Sequence, residues 1–405
     1  MKKSLLVLAA LAACGSASAQ STVTIFGVLD AAYRNVSNKS ESATATPFTP
    51  FYSVKASRSE LANSGLSSSR LGFRGVEDLG DGLSASFWLE SPITNDDGAT
   101  GLSTFSRRST VSVAGGFGEI RIGRDKTSTY LNDEQFDPFG DTGIGGSLLV
   151  DANEGSVSGT GYGSNSTYKR AGNMAQYFLP RNLGGFYGSV DYSFHEVTRT
   201  SPDSVAGADK SNTGRHIAGR FGYASGPLDV AASYAQNDTS FTTGTGAAAV
   251  ARPGKIKTFN LGATYDFGVA KVFGEYSRWK DQRDPLNVFT RVPSTDLTGY
   301  LIGVSVPVGA GQIRASYSQV KYDFNRTPAL GTVNAPDPKS NKLALGYVHN
   351  LSKRTALYGT IARVSNKNGA GNTVGAGPSY VVTYNRAALQ PKSSMGYEFG
   401  IRHSF

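Results

Sequence analysis

The sequence predicts an all-β protein in which sixteen antiparallel strands close into a single transmembrane β-barrel. Segments with a two-residue period recur along the chain, and the gaps between them alternate between short turns and long polar loops. Only 39% of the residues are hydrophobic, whereas the 405 residues include 49 glycines, 20 tyrosines and 21 phenylalanines. This composition is unlike that of a globular core. It is typical of a wall one residue thick, with aromatic residues at both membrane interfaces and many turns.

Residues 1–19 are predicted to be a signal peptide. Lys2 and Lys3 form a basic start, an apolar run covers 5–13, and the small residues 17–19 precede Gln20 as a cleavage site. The apolar run is too short to cross a bilayer as a helix. An alternative is a lipoprotein processing site, with Cys14 as the lipidated residue. Both routes export the chain, and residues 20–405 are then expected to form one barrel domain.

The strand pattern is clear where the barrel begins and ends. In the first strand, Val23 and Ile25 share one parity, and the polar residues Thr24 and Asp30 share the other. Because alternate side chains of a strand point to opposite faces, this pattern separates lipid from water. The last strand must pair with the first, since an open sheet edge cannot be left in the membrane. Its apolar face carries Tyr397, Phe399, Ile401 and Phe405.

The remaining strands follow the same rule. The sixteen predicted segments are 23–33, 67–77, 82–90, 106–114, 118–124, 167–179, 186–195, 215–223, 228–237, 257–267, 270–280, 298–306, 311–322, 341–350, 355–364 and 394–405. The short gaps carry Gly, Pro and Asp, which supply turn geometry. The long gaps are 34–66, 125–166, 238–256 and 365–393. This is the layout of an outer-membrane barrel with short periplasmic turns and long extracellular loops.

A barrel of sixteen strands is too wide for side chains to fill, so it is expected to hold a water channel. Two soluble sandwich domains are the alternative fold, but the even spacing of the strands favours the single barrel. The predicted mature chain has 38 basic and 31 acidic residues, a net charge of +7. These basic residues are spread over the strands and form no single patch, which argues against nucleic-acid binding.

The sequence offers little support for an enzyme. Its histidines do not form a His-Glu-x-x-His motif, no Gly-x-Ser-x-Gly elbow is present, and the predicted mature chain has no cysteine. We therefore predict no catalytic residues, no metal site and no cofactor. A hydrolase whose Ser–His pair is assembled only by folding remains an alternative.

Five segments together resemble the general diffusion porins of Gram-negative outer membranes, in particular the beta-proteobacterial type. They are residues 21–30 (STVTIFGVLD), 69–80 (SRLGFRGVEDLG), 115–124 (GGFGEIRIGR), 137–140 (DPFG) and 400–405 (GIRHSF). The resemblance covers residues 20–405. It implies a homotrimer in the outer membrane that passes ions and small hydrophilic solutes by passive diffusion. The implied partners are outer-membrane lipid, lipopolysaccharide and the insertion machinery, which reads the closing strand and its terminal Phe405 as an assembly signal.

The resemblance also implies that the third loop, residues 125–166, folds into the barrel as a constriction. Parity places Arg70 and Arg74 on the polar face of their strand, because Leu71 and Phe73 occupy the other face. Opposed basic and acidic rows select ions by charge. The predicted basic residues are Arg70, Arg74, Arg108, Arg121, Lys169 and Arg170. The predicted acidic loop residues are Asp133, Glu134, Asp137 and Asp141.

The positive net charge and the Arg-rich wall predict a weak preference for anions. Trp88 lies on the polar parity of its strand, beside Ser86 and Glu90, and is expected to project into the lumen. A substrate-specific channel or a surface receptor is the alternative function. It requires binding groups in the loops, and loops vary freely.

Overall fold

The computed structural model describes residues 22–42, 50–155, 165–196, 213–243, 250–283, 295–324 and 336–405. The predicted signal peptide lies outside the described residues. No helix within these ranges is long and apolar enough to cross a membrane.

The described chain is mostly β-strand. The strands of the first half are β1 (Thr22–Ser42), β2 (Ser53–Asn63), β3 (Arg70–Gly80), β4 (Leu83–Pro92), β5 (Arg108–Gly115), β6 (Gly118–Lys126), β7 (Arg170–Phe178), β8 (Phe186–Ser193) and β9 (His216–Ser225). Those of the second half are β10 (Leu228–Thr243), β11 (Val250–Asp266), β12 (Lys271–Arg283), β13 (Thr295–Val308), β14 (Gly311–Phe324), β15 (Lys339–Asn350), β16 (Thr355–Lys367), β17 (Thr383–Tyr384) and β18 (Ala387–Ser404). Between β6 and β7 lie helix α1 (Ser128–Phe136), the 3-10 turn Gly143–Gly145 and helix α2 (Leu148–Glu154).

The strands close into a barrel of sixteen antiparallel wall strands, as predicted. β2 and β3 both pair with β1 and form one interrupted wall strand, while the two-residue strand β17 pairs with the start of β18. The barrel closes where β18 meets β1, with Val28 opposite Ser404 and Tyr33 opposite Phe399. The predicted pairing of the last strand with the first is therefore confirmed.

Three of the predicted long loops are partly strand. β1 extends to Ser42, β2 fills 53–63, and β10 and β11 reach Thr243 and Val250. The predicted loop 365–393 likewise contains the end of β16 and the start of β18. The cause is that a barrel wall continues beyond the membrane, where both of its faces can be polar. The apolar alternation that marks a strand then disappears, although the backbone ladder continues.

The two faces of the wall differ as the parity predicted. Along most of β13 and β15, buried residues alternate with exposed or half-buried ones. Apolar side chains such as Ile302, Leu343 and Leu345 are more than half exposed on the outside. Burying such surface in lipid gains about 25 cal/mol per Å², so this face is suited to a bilayer rather than to water.

The segment between β6 and β7 lies inside the barrel against the inner wall. α1 contacts β8 to β12, α2 contacts β13 and β14, and the 3-10 turn contacts β15, β16 and β18. The largest apolar cluster lies between this segment and the wall. The inward-folded third loop is thus present. Its helices were not predicted, because α1 carries mainly polar residues that bond to a polar wall.

Candidate functional site: the charged passage beside the third loop

Polar contacts at the root of the third loop set the direction of α1. The Thr127 hydroxyl accepts a hydrogen bond from the backbone N–H of Tyr130 at 3.3 Å, which caps the helix. The next residue, Ser128, bonds through its hydroxyl to that of Ser189 at 2.7 Å. The loop therefore turns towards β8 as soon as it leaves β6.

Charged wall residues anchor the far side of the loop. The backbone N–H of Ile144 donates to a carboxylate oxygen of Glu398 at 3.1 Å, and Arg34 pairs with the same carboxylate at 3.0 Å. Arg314 donates to the carbonyl of Pro138 at 3.4 Å. Lys342 donates to the carbonyl of Gly146. These bonds hold the loop backbone to β14, β15 and β18, and Arg34 of β1 holds the Glu398 carboxylate in place.

Glycines in the wall provide the space for the loop's apolar side chains. A Cβ atom on Gly262 would lie 2.0 Å from the ring of Phe136, and one on Gly299 would lie 2.4 Å from Leu149. Both loop side chains are fully buried. Such burial contributes about 1.5–3 kcal/mol per side chain. The loop therefore lies against one half of the wall because that half leaves room for it.

A cavity of about 490 Å³ remains between the loop and the opposite wall. Leu131, Glu134, Phe139, Gly140 and Thr142 line it from the loop. The wall contribution comes from β3 to β7 and their loop-side ends. Its charged and aromatic members are Arg70, Trp88, Glu90, Arg107, Arg108, Arg121, Asp125, Lys126 and Arg170, and Leu66, Ser67 and Ser68 line the cavity just before β3.

Six cationic and three carboxylate side chains line this cavity, an excess of three positive charges. Glu90 is shared by two guanidinium groups, with Arg107 at 2.5 Å and Arg70 at 3.8 Å. Asp125 is shared in the same way, by Arg121 at 2.7 Å and Arg108 at 3.3 Å. Glu90 thus holds two guanidinium groups in place and neutralises only one of their charges. Arg121 also pairs with Glu119 at 2.9 Å, a carboxylate that does not line the cavity.

The remaining two cations differ from each other. Lys126 pairs one-to-one with Glu134 at 2.6 Å. Arg170 donates to the carbonyl of Arg107 at 3.0 Å and makes no ion pair within the described part of the chain. Arg170 is therefore a cavity-lining cation without an ion pair among the described residues, although the Glu134 and Glu90 carboxylates act on it through space.

Trp88 projects into the lumen, as its parity predicted. Its ring lies between two guanidinium groups, with Arg108 at 4.5 Å and Arg74 at 5.2 Å from the ring centroid. The indole N–H donates to Glu90 at 3.2 Å, and the ring meets Phe26 edge-on at 4.9 Å. Cation–π contacts of this kind are worth about 0.5–1 kcal/mol at exposed sites. Trp88 thus positions two charged groups of the wall.

The structure brings most of the predicted basic residues together. Arg70, Arg108, Arg121 and Arg170 all line the cavity. Arg74 is exposed and lies off the cavity, stacked on Trp88. The remaining predicted residue, Lys169, does not line the cavity. Its ammonium group bonds to Asp141 at 3.2 Å and to Glu154 at 2.9 Å, so two loop carboxylates compensate its charge.

The predicted acidic face of the loop is largely a set of internal anchors. Only Glu134 of the four predicted residues lines the cavity. Asp133 is fully buried and accepts hydrogen bonds from Asn260 at 2.6 Å and from Tyr168. Asp137 accepts from three backbone N–H groups within the loop. Asp133 and Asp137 therefore do not face the basic wall, because helix α1 and the following turn direct them into the loop and the far wall.

Burial changes the protonation of these loop carboxyls. It raises the pKa of Asp133, and it raises the pKa of Asp141 to about 7. The neighbouring Lys169 ammonium opposes the shift of the Asp141 pKa, and Asp151 and Asp137 add to it. Near neutral pH, Asp141 is therefore divided between its charged and neutral forms.

Four charged cavity residues were missed from the sequence. Asp125 and Lys126 lie beyond the predicted end of the strand at residue 124. The predicted strand 106–114 gave Arg107 the outward parity of Val111 and Val113, but β5 begins only at Arg108, so this parity does not apply to Arg107. Glu90 shares the polar parity of Trp88, and this signal was available.

The residues of the predicted assembly signal lie together on the outside of β18. Tyr397, Phe399, Ile401 and Phe405 are 37–59% exposed. The Glu398 side chain points from β18 to the inside of the barrel and is fully buried beneath the third loop. The ring-bearing face therefore points to lipid.

Comparison with known proteins gives full-length relatives. A model of the Gram-negative porin family matches residues 5–369. The outer membrane porin protein 32 of Delftia acidovorans is 39% identical over 407 residues, covering all of both chains. An outer membrane porin protein of Bordetella pertussis is 31% identical, also over all of both chains.

Solved structures show the same architecture. The anion-selective porin from Comamonas acidovorans matches with a TM-score of 0.70 at 34% identity, covering 95% of this chain and 100% of the other. OmpT of Vibrio cholerae matches with a TM-score of 0.62 at 16% identity, covering 95% of this chain and 98% of the other, which is a similarity of fold.

Proposed function

This chain belongs to the Gram-negative porin family and forms an outer-membrane channel, and on that premise we propose that it is a general diffusion channel with a weak preference for anions. Its solutes are ions and small hydrophilic molecules, which pass through the water-filled gap between the third loop and strands β3 to β7. The observation that carries this proposal is the excess of three positive charges around the cavity.

The same geometry supports a weak rather than a strong preference. Three carboxylates lie among the six cations and keep the local field moderate. Two exposed unit charges interact by only about 1 kcal/mol at 4 Å in water. Partial compensation of the six cations by three carboxylates therefore weakens the attraction of anions noticeably. The relative from Comamonas acidovorans, at 34% identity, is described as anion-selective, which supports a preference for anions over cations.

Liposome swelling distinguishes a sieve from a specific channel. We expect the uptake of neutral sugars to fall smoothly with their size and to show no saturation. We also expect a small organic anion to enter faster than a cation of equal size. Saturation by one solute at low concentration would instead support the substrate-specific alternative.

We extend the proposal to the assembly of the protein. The family resemblance supports a homotrimer in the outer membrane, surrounded by lipid and lipopolysaccharide and inserted by the cellular machinery. Native mass measurement of the detergent-extracted protein tests the trimer. A monomer as the only species would refute it.

We also extend the proposal to export. Residues 1–19 carry the features of a signal peptide, and the barrel domain is then residues 20–405, with 125–166 as its constriction loop. The intact mass of the purified protein tests this division. A chain beginning at Gln20 supports it, whereas a lipidated chain beginning at Cys14 would replace it.

A further inference from the structure

The wall strand formed by β2 and β3 leaves the sheet between its two halves. β2 ends at Asn63 opposite Ala31, and β3 begins at Arg70 opposite Val28. Residues 64–69 therefore lie opposite only the two residues of β1 between Val28 and Ala31. Because paired strands match residue for residue, the excess chain must leave the ladder. We call residues 64–69 the wall bulge.

The wall bulge enters the lumen and meets the tip of the third loop. Its residues 66–68 line the cavity. The Thr142 hydroxyl donates to the carbonyl oxygen of Leu66 at 3.0 Å. A Cβ atom on Gly143 would lie only 2.2 Å from the carbonyl oxygen of Gly65. The bulge and the loop tip are thus in contact beside the passage, and each contributes to its lining.

The buried carboxylate of Asp30 holds the bulge in place. One of its oxygens, Oδ2, accepts hydrogen bonds from the backbone N–H groups of Leu66 and Ser67, both at 2.7 Å. The other oxygen accepts from the Tyr358 hydroxyl at 2.5 Å. The backbone N–H of Asp30 also donates to the Ser69 hydroxyl at 3.0 Å. Asp30 is fully buried, and hydrogen bonds to a buried charged group are among the stronger ones.

Tyr358 supports the same segment from below. A Cβ atom on Gly65 would lie 2.3 Å from the Tyr358 hydroxyl oxygen, so the bulge lies directly on this ring. The side chain of Leu66 packs against the apolar cluster that contains Tyr358. Asp30 itself does not line the cavity. Its effect on the passage must therefore act through the bulge.

We propose that the wall bulge is a second constriction element and that Asp30 is the residue that positions it. The gap between the bulge and the third loop then limits the size of the solutes that pass. This inference rests on the diffusion channel proposed above and concerns the size of solutes. All six bulge residues are uncharged, being serine, glycine or leucine. A change in the bulge should therefore alter size selection and leave the ion preference in place.

The first test removes the bulge. Deletion of residues 65–68 leaves Ser64 and Ser69 opposite two residues of β1, which restores an ordinary ladder. In liposome swelling, the uptake of a trisaccharide relative to that of a pentose should rise severalfold, because the passage is wider. The reversal potential should keep its native sign, since the deletion removes no charged group.

The second test releases the bulge without shortening the chain. Asp30→Ala leaves two backbone N–H groups without their acceptor. Each hydrogen bond to a charged group shifts an equilibrium by roughly tenfold or more. The displaced bulge should therefore appear in single-channel records as brief conductance sublevels, at least about tenfold more frequent than in the native protein.

Two further variants separate positioning from other effects. Asp30→Asn removes the same charge but keeps an oxygen for both N–H groups, while its amide donates to the Tyr358 hydroxyl. Its sublevels should be as rare as those of the native channel. Asp266→Ala removes a carboxylate that accepts from the backbone N–H of Gly268 at 2.8 Å in a turn outside the passage, and it should also behave as native. Heat-modifiable mobility shows which variants are folded.

Two results would overturn the inference. One is a folded Asp30→Ala protein with the native sublevel frequency and sugar uptake, which decides the matter even where the deletion variant does not fold. The other is an Asp30→Asn protein that matches Asp30→Ala, because the lost charge would then explain the effect. Saturable sugar uptake by the native protein would contradict the diffusion channel, whereas the comparison of variants with the native protein would still decide the role of the bulge.

Discussion

At the scale of single residues, the charge of the passage depends on the surroundings of each group. Arg170 forms no ion pair within the described residues, whereas each of the carboxylates Glu90 and Asp125 is shared by two guanidinium groups. Arg74 was predicted with the basic wall but lies off the cavity. These positions predict which of the two arginines has the larger effect on the ion preference of the channel.

Arg170→Glu should reduce the anion-to-cation permeability ratio more than Arg74→Glu. The first change removes two of the three excess charges at the cavity. In water, a change of two unit charges about 8 Å from a permeating ion changes the electrostatic energy of that ion by about 1 kcal/mol. This changes the local ratio of anions to cations several-fold. Reversal potentials in a salt gradient give both ratios. An equal or larger effect of Arg74→Glu would show that the narrowest point lies lower in the barrel.

The preference for anions should fall as the pH rises from 5 to 8.5. Asp141 has a folded pKa of about 7, above its ordinary value of 3.8, so the loop favours its neutral form. The contribution of the neutral Asp141 carboxyl to the stability of the fold is fully present below about pH 4 and is lost as the pH rises through 7. The charged form adds a negative charge between Gly140 and Thr142, which both line the cavity, and this charge offsets that of the neighbouring Lys169.

Reversal potentials at the two pH values check this dependence. Asp141→Asn should largely remove it. Asp97→Asn, in an exposed loop, should retain it. A native pH dependence that survives Asp141→Asn would assign the titration to another group, with Asp133 as the next candidate.

At the scale of secondary-structure elements, the position of the third loop depends on the glycines behind it. Gly262→Val should displace α1, because a side chain there collides with Phe136. Overpacking of this kind typically costs about 1–3 kcal/mol. We expect a changed single-channel conductance and noisier open current. Gly274→Val on the adjacent strand, where a Cβ atom meets nothing within 4 Å, is the control and should behave as the native channel.

The closing strand depends on its last residue. The backbone N–H of Phe405 donates to the carbonyl of Gly27, and the N–H of Gly27 donates back, both at 3.1 Å. Deleting Phe405 removes both bonds and exposes the edge of β1, so assembly should fall more than the conductance of assembled channels. The measurement is the folded fraction in the outer membrane, with Phe405→Tyr as a control that retains assembly. Normal assembly of the deletion variant would count against a role in closure.

The strands of this protein could be predicted from the sequence more completely than the residues of its charged passage. Alternation found every wall strand, because one face meets lipid and the other meets water. It failed beyond the membrane, where β1 continues to Ser42 with both faces polar. It also failed in the third loop, where the directions of Asp133 and Asp137 depend on helix α1 and on wall residues distant in sequence, such as Asn260.

At the scale of the whole molecule, the fold and the charge pattern have separate origins. The closed wall follows from a two-residue period and requires no particular charge. The passage requires a wall with room for the loop on one side and cations at the loop-side ends of β3, β5, β6 and β7 on the other. The ion preference is therefore a property of one side of the lumen.

The most direct test of the account is the zero-current potential of the native channel in a planar bilayer with a potassium chloride gradient at neutral pH. The excess of three positive charges at the cavity predicts a potential of the sign that indicates chloride preference, well below the value for perfect selectivity. A potential that indicates cation preference would contradict the account.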